Sequence, residues 1–185
     1  RSWRDGASKP FGFLEDHAAV ALGFLDLYAL TFDRSWLGDA LEIADVATDR
    51  FRSPEDGRFY DTPRDHETLI TRPRELTDNA TPSGNSLMAE LLLRLSVISG
   101  EVQGEALAMA SCRSVAAALE RHPSAFGHLL GVADMAWYGA TEVALVGDPG
   151  SAAFGALREA VADRYLPSLV LAGGAPLPES PLSML

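Results

Sequence analysis

The 185-residue chain carries 26 acidic against 15 basic side chains, a formal charge of −11, and 47% apolar residues. With Lys9 as its lone lysine and a surface that repels phosphate backbones, a nucleic-acid groove is excluded. No run nears the roughly 18 uninterrupted apolar residues of a membrane-spanning helix, and a single cysteine, Cys112, rules out an intrachain disulfide or a Cys-based zinc site.

The acidity is diffuse: residues 1–100 hold 17 acids and 11 bases, and residues 101–185 hold 9 and 4. Arg1-Ser2-Trp3-Arg4-Asp5-Gly6 offers neither an initiator Met nor the apolar core of a signal peptide. This start predicts a chain cut from a longer one without support for secretion, and the lone cysteine fits a reducing cytoplasm.

Leu14, Ala18, Leu22, Leu25, Ala29 and Phe32 keep helical spacing, while Phe24, Leu27 and Leu30 occupy other faces. The pattern predicts a helix buried on more than one side. From Trp36 to Phe51 the apolar residues form one stripe, and Asp39, Glu42, Asp45 and Asp49 lie away from it, as in an outer helix with one wet face. Residues 52–80 break this rhythm. Ser53–Gly57 reads as a turn, Arg58–Thr62 as a short strand and Thr68–Arg72 as its partner, predicting a β-hairpin inside a long loop.

The pair of helices then recurs at an offset of 66, with Leu25/Leu91, Leu27/Leu93, Ala40/Ala106 and Leu41/Leu107 in register. Ser83–Ile98 is the second inner helix, Glu105–Arg121 the second outer one, and Ser124–Tyr138 a third inner one. Alternating inner and outer helices predict a mainly α fold, an arc of an α/α toroid, over residues 1–140. After Ala140 the chain turns to a strand at Val143–Val146, a helix from Ala152 to Tyr165 and a strand at Ser168–Ala172, a small C-terminal βαβ-like piece over 141–174. Residues 175–185, rich in Pro, are expected to be a loose tail.

In a toroid the inner helices open on one rim, so polar residues at their N-termini converge. Those residues are Glu15, Asp16 and His17; Glu75, Asp78, Asn79, Ser83 and Asn85; and His128. Thr81-Pro82 has the spacing of a helix cap followed by Pro at the first helical position. Glu15, Asp16, Asp78 and His128 are the candidate acids and bases. His17, Asp61, Arg72, Glu75, Asn79, Ser83 and Asn85 are the candidate substrate-binding groups. Each has a bland alternative: the carboxylates as first-turn acids facing the macrodipole, the histidines as packing groups, the arginines as partners of nearby acids. A rim of carboxylates, amides and hydroxyls suits a saccharide. No HExxH or His/Cys cluster argues for a metal, and no fingerprint argues for a cofactor.

Several segments resemble a known family: RSWRDG at 1–6, GFLEDHA at 12–18, GRFYDT at 57–62, RPRELTDNATPSGNS at 72–86 and PSAF at 123–126. They closely resemble the C-terminal half of the YyaL-like proteins, which include the spermatogenesis-associated thioredoxin-like proteins. The resemblance implies a thioredoxin-like domain followed by an (α/α)6 barrel similar to N-acylglucosamine 2-epimerases and six-hairpin glycosidases. This chain would then be a late arc of that barrel, partnered by the missing N-terminal half of its own chain and prone to self-association without it. The implied role is carbohydrate-directed, as an epimerase- or glycosidase-like enzyme or as a non-catalytic toroid serving the attached domain.

Overall fold

The computed structural model describes residues 3–8, 12–65 and 70–175. Two short strands, β1 (Trp3–Arg4) and β2 (Ala7–Ser8), pair antiparallel across a turn. Two helical hairpins follow: α1 (Leu14–Thr31) with α2 (Arg34–Phe51), and α3 (Gly84–Ser99) with α4 (Val102–Ser114). A short α5 (Ala116–Arg121) and a 3-10 turn (Pro123–Phe126) lead into α6 (Gly127–Tyr138). The chain then forms β3 (Thr141–Val146), α7 (Ala152–Ala162) and β4 (Leu169–Gly174). The fold is mainly helical, with seven helices and a two-strand parallel sheet among the described residues. No described helix is long and apolar enough to cross a membrane.

α3 is the centre of the molecule, packed against α1, α4 and α6, and none of its residues is exposed. Its helix begins where Ser83 accepts the Ser86 N–H and ends where Gly100 turns left-handed at φ 79°. The cap is therefore Ser83, not Thr81: Asp78 Oδ1 holds the Ser83 N–H, which fixes the chain outside the helix up to that residue. The outer segment expected as one helix is two, α4 and α5, separated at Val115 with φ −115° and ψ 7°.

The inner helices α1 and α3 start 70 residues apart, at Leu14 and Gly84, and the outer helices α2 and α4 start 68 apart, at Arg34 and Val102, so the expected offset of 66 matches neither pair. Leu14, Ala18, Leu22, Leu25 and Tyr28 correspond to Gly84, Met88, Leu92, Leu95 and Ile98, all buried. An offset of 66 differs from that of the inner pair by four residues, close to one helical turn, so leucines still fell opposite leucines.

The predicted hairpin at 52–80 is not formed among the described residues. Phe59 is fully buried and pairs backward, through a lone antiparallel bridge to Arg52, with Ser53 N donating to Arg58 O and Tyr60 N to Phe51 O. These bonds commit residues 58–60 to residues 51–53 at the end of α2 rather than to residues 70–72. Thr68 and Leu69, two of the five residues of the expected partner strand, and His66 lie outside the described residues.

The C-terminal piece is a parallel strand–helix–strand unit, with Thr141 opposite Leu169 and Val146 opposite Gly174. Val170 and Ala172 of β4 enter the same core as α1 and α3. Tyr28 Oη donates to Gly173 O at 3.4 Å and accepts from Gly173 N at 3.3 Å. Gly173 is required there: a Cβ would come within 2.5 Å of the Phe32 ring. Phe32 itself caps α1 at φ 56°, an unusual conformation for an aromatic residue, held by edge-on contact with Phe154 at 5.2 Å.

Candidate functional site

The loop between α2 and α3 is stitched to the N-termini of α1 and α3 by backbone hydrogen bonds. Leu14 N donates to Asp61 O at 3.0 Å, and Asp61 N to Pro73 O at 3.0 Å. Buried Asn85, in the first turn of α3, accepts from Phe59 N with its Oδ1 and donates through Nδ2 to Phe59 O at 3.2 Å and Glu75 O at 3.0 Å. These bonds hold the loop open over the two helix ends. The result is a cleft of about 300 Å³ lined by Glu15, Asp61, Glu75, Asn79 and Ser83, together with Thr77 and Thr81.

Two of its carboxylates lie in opposed environments. Half-burial pushes the Asp61 carboxyl above its ordinary range, and the nearby Glu75 and Glu15 charges add to this against the Glu75 N–H that Oδ2 accepts at 2.8 Å. Glu75 is held below its ordinary range by Thr77, whose hydroxyl and N–H both donate to Oε1. The two environments thus push neighbouring carboxyl pKa values apart, one up and one down.

Other residues singled out from the sequence hold the backbone. Asp78 caps α6: its Oδ2 accepts from His128 N at 2.9 Å and Leu129 N at 3.1 Å, and its Oδ1 from Ser83 N at 2.9 Å. Asp16 accepts the Phe13 N–H at 2.7 Å and closes the N-terminus of α1. His17 stands on the Phe51 ring with centroids 5.0 Å apart, and its Nδ1 lies 2.8 Å from Phe13 O. Arg72 reaches Thr62 O, and the Arg72 and Arg74 guanidiniums lie 3.9 and 4.0 Å from the Tyr60 ring centroid. Arg74 also pairs with Asp56 at 2.8 Å.

His128 does not face the rim cleft. It lines a second cleft of about 380 Å³ between α3, α6 and the turn into β4. Its Nε2 is 2.7 Å from Glu90 Oε2, an ion-pair contact whose angle falls short of an aligned hydrogen bond. Arg94 bonds Glu90 at 3.3 Å and Asp26 at 2.8 Å. Contact with Glu90 raises the His128 pKa against the opposing effect of burial. Burial favours a protonated Glu90, but His128 and Arg94 outweigh it and hold the carboxyl below its usual range. Sequence reasoning passed over Glu90 and Arg94. The signal was there: they are the two charged residues of α3, four apart and so on one face.

Among the described residues no cluster of three or more His, Cys, Asp or Glu side chains could hold a metal ion. No known protein-family profile matches the chain. Over 169 residues, 90% of its length, it is 30% identical to spermatogenesis-associated protein 20 of Rattus norvegicus and of Mus musculus, and 28% identical to that of Homo sapiens. The chain is thus a distant homologue of spermatogenesis-associated protein 20 over most of its own length. It spans only 21–22% of the length of those relatives.

Proposed function

We propose that the chain is part of a carbohydrate-directed enzyme, epimerase- or glycosidase-like, whose acid–base groups sit in the rim cleft. The observation that carries this reading is that one cleft brings together Glu15, Asp61 and Glu75, with the Asp61 pKa raised by burial and that of Glu75 lowered by Thr77. In a hydrolytic cycle Asp61 gives its proton to the departing sugar oxygen while a facing carboxylate takes one from the attacking water. Asn79 and the threonine hydroxyls bind sugar hydroxyls, each able to donate and accept.

The toroid arc belongs to the same proposal. It is supported by α1, whose Val20, Leu27 and Leu30 are 49, 36 and 63% exposed, whereas α3 carries neighbours on every side. Such a face fits another helical hairpin, from the rest of the same protein or from a second copy. An attached thioredoxin-like domain follows from the family resemblance, and a cytoplasmic setting is proposed from the lone cysteine.

A second reading, a non-catalytic binding toroid, draws on Glu75, whose Oε1 is committed to Leu76 and Thr77. A saccharide panel presented to the intact protein separates the two. Turnover of one sugar that Asp61→Asn abolishes supports the enzyme. Saturable binding without turnover supports the module, and no interaction with any saccharide removes both.

A further inference from the structure

The loop that carries Asp61 and Glu75 has a second face. Residues 60–62 run beside residues 72–75, joined where Asp61 N donates to Pro73 O at 3.0 Å. Asp61, Pro73 and Glu75 line the rim cleft, and the residues that alternate with them, Tyr60, Arg72 and Arg74, do not. They meet one another instead. Both guanidinium carbons lie within 4.0 Å of the Tyr60 ring centre, and two such flat groups fit that close only on opposite faces of the ring.

This back face is cationic and incompletely bonded. Asp56 pairs with Arg58 at 2.6 Å and with Arg74 at 2.8 Å, while Arg72 has no carboxylate within ion-pair distance among the described residues. Three arginines thus share one acid, in a chain whose net charge is −11. Burial and the like charge of Arg74 lower the Arg72 pKa, and only Tyr60 opposes them. Among the described residues seven buried side-chain nitrogen and oxygen atoms lack a hydrogen-bond partner, and four of them belong here: Thr62 Oγ1, Arg72 Nε, and Arg74 Nε and Nη2. Thr62 is 2% exposed, and its carbonyl already takes Arg72 Nη2. Protein interiors rarely leave such groups unsatisfied, so their concentration at one place points to a partner from outside the chain. Arg72 Nη1 and the Tyr60 hydroxyl are neither bonded within the chain nor among the buried atoms, and they are the open donors of this face.

We propose that this face of the loop binds a phosphate group, as the free ion or as a small phosphate ester. Three guanidiniums against one carboxylate leave two positive charges, which a dianion balances. The open donors stand on different levels, one over the Tyr60 ring and one in its plane. That arrangement suits the tetrahedral oxygens of phosphate better than the planar pair of a carboxylate. Arg72 Nη1 and Tyr60 Oη donate to separate oxygens, and Arg74, behind the ring, adds its charge. The Thr62 hydroxyl, on the residue whose carbonyl holds Arg72, is the third donor. Glu15, Asp61 and Glu75 on the front of the same loop repel phosphate, so the two faces take different ligands and share no lining residue.

Titration calorimetry on the intact protein at constant ionic strength tests this with inorganic phosphate and glycerol 3-phosphate, and with acetate as the planar control. At least one of the phosphates should bind saturably and more tightly than acetate, and the tighter of the two identifies the source. Arg72→Gln should weaken that binding about tenfold. Tyr60→Phe, which keeps the stacked ring and removes only the hydroxyl, should weaken it several-fold with an unchanged unfolding midpoint. Saturable binding by neither phosphate, acetate binding as tightly as phosphate, or wild-type affinity in either variant would overturn the proposal.

Discussion

The two clefts sit on either side of Asp78 and are built differently. The rim cleft is made by a loop: its carboxylates come from residues 61 and 75, held by backbone hydrogen bonds, and their protons are set by local partners such as Thr77. The α3–α6 cleft is made by helices, and its charges form a chain from Asp26 through Arg94 and Glu90 to His128. The difference teaches that a polar residue near a helix start belongs to the chemistry only when its atoms are left over after the backbone has been satisfied. Asp78, with three N–H groups on its two oxygens, has none left; Asp61 keeps Oδ1.

The largest expected effect falls on the residue between the clefts. Asp78→Ala strips three N–H groups of a charged acceptor and should lower unfolding free energy by about 3 kcal/mol in urea denaturation. A loss under about 1 kcal/mol would mean that α6 and the loop are fixed by something else. Gly173→Ala forces a Cβ into the Phe32 ring and should cost about 2 kcal/mol while sparing both clefts. If it altered either cleft, the sheet would be part of the sites rather than their support.

A smaller effect distinguishes the clefts by pH. The raised His128 pKa means that its pairing with Glu90, beside Asp78 and Arg94, contributes fully below the ordinary histidine value of about 6.5 and is lost as pH rises through the elevated value. The lowered Glu90 pKa adds stability above about 4.3 that disappears as pH falls through the depressed value. Glu90→Gln should therefore destabilise most between those limits, by on the order of 1 kcal/mol, and less at pH 8. A destabilisation independent of pH would reduce the cluster to packing.

Much of this fold was legible because its signals are local. Leu14–Thr31, Arg34–Phe51 and Gly84–Ser99 follow from apolar spacing, and the parallel strand pair from two apolar runs flanking a helix. What escaped depended on distant partners. Phe59 could have started a hairpin, but its burial and its pairing back to Arg52 are tertiary facts. Ser83 became the cap because Asp78 holds its N–H, and the offset of the inner pair was displaced by one turn because leucine stripes match themselves at that shift. For the candidate site, the sequence pointed to the rim where Glu15, Asp61, Glu75, Asn79 and Ser83 meet. It could not tell which carboxylates would be consumed as caps, nor that α6 would turn His128 toward Glu90.

The most direct test of the account is the pH profile of kcat/KM for intact wild-type protein and Asp61→Asn on a sugar that the panel shows to be turned over. Asp61 acting as an acid predicts activity that falls as pH rises through its elevated pKa. In Asp61→Asn, kcat/KM should drop by roughly 10²–10⁴, with that limb gone and unfolding free energy nearly unchanged. Equal turnover by the two proteins, with the same high-pH limb, would contradict the account.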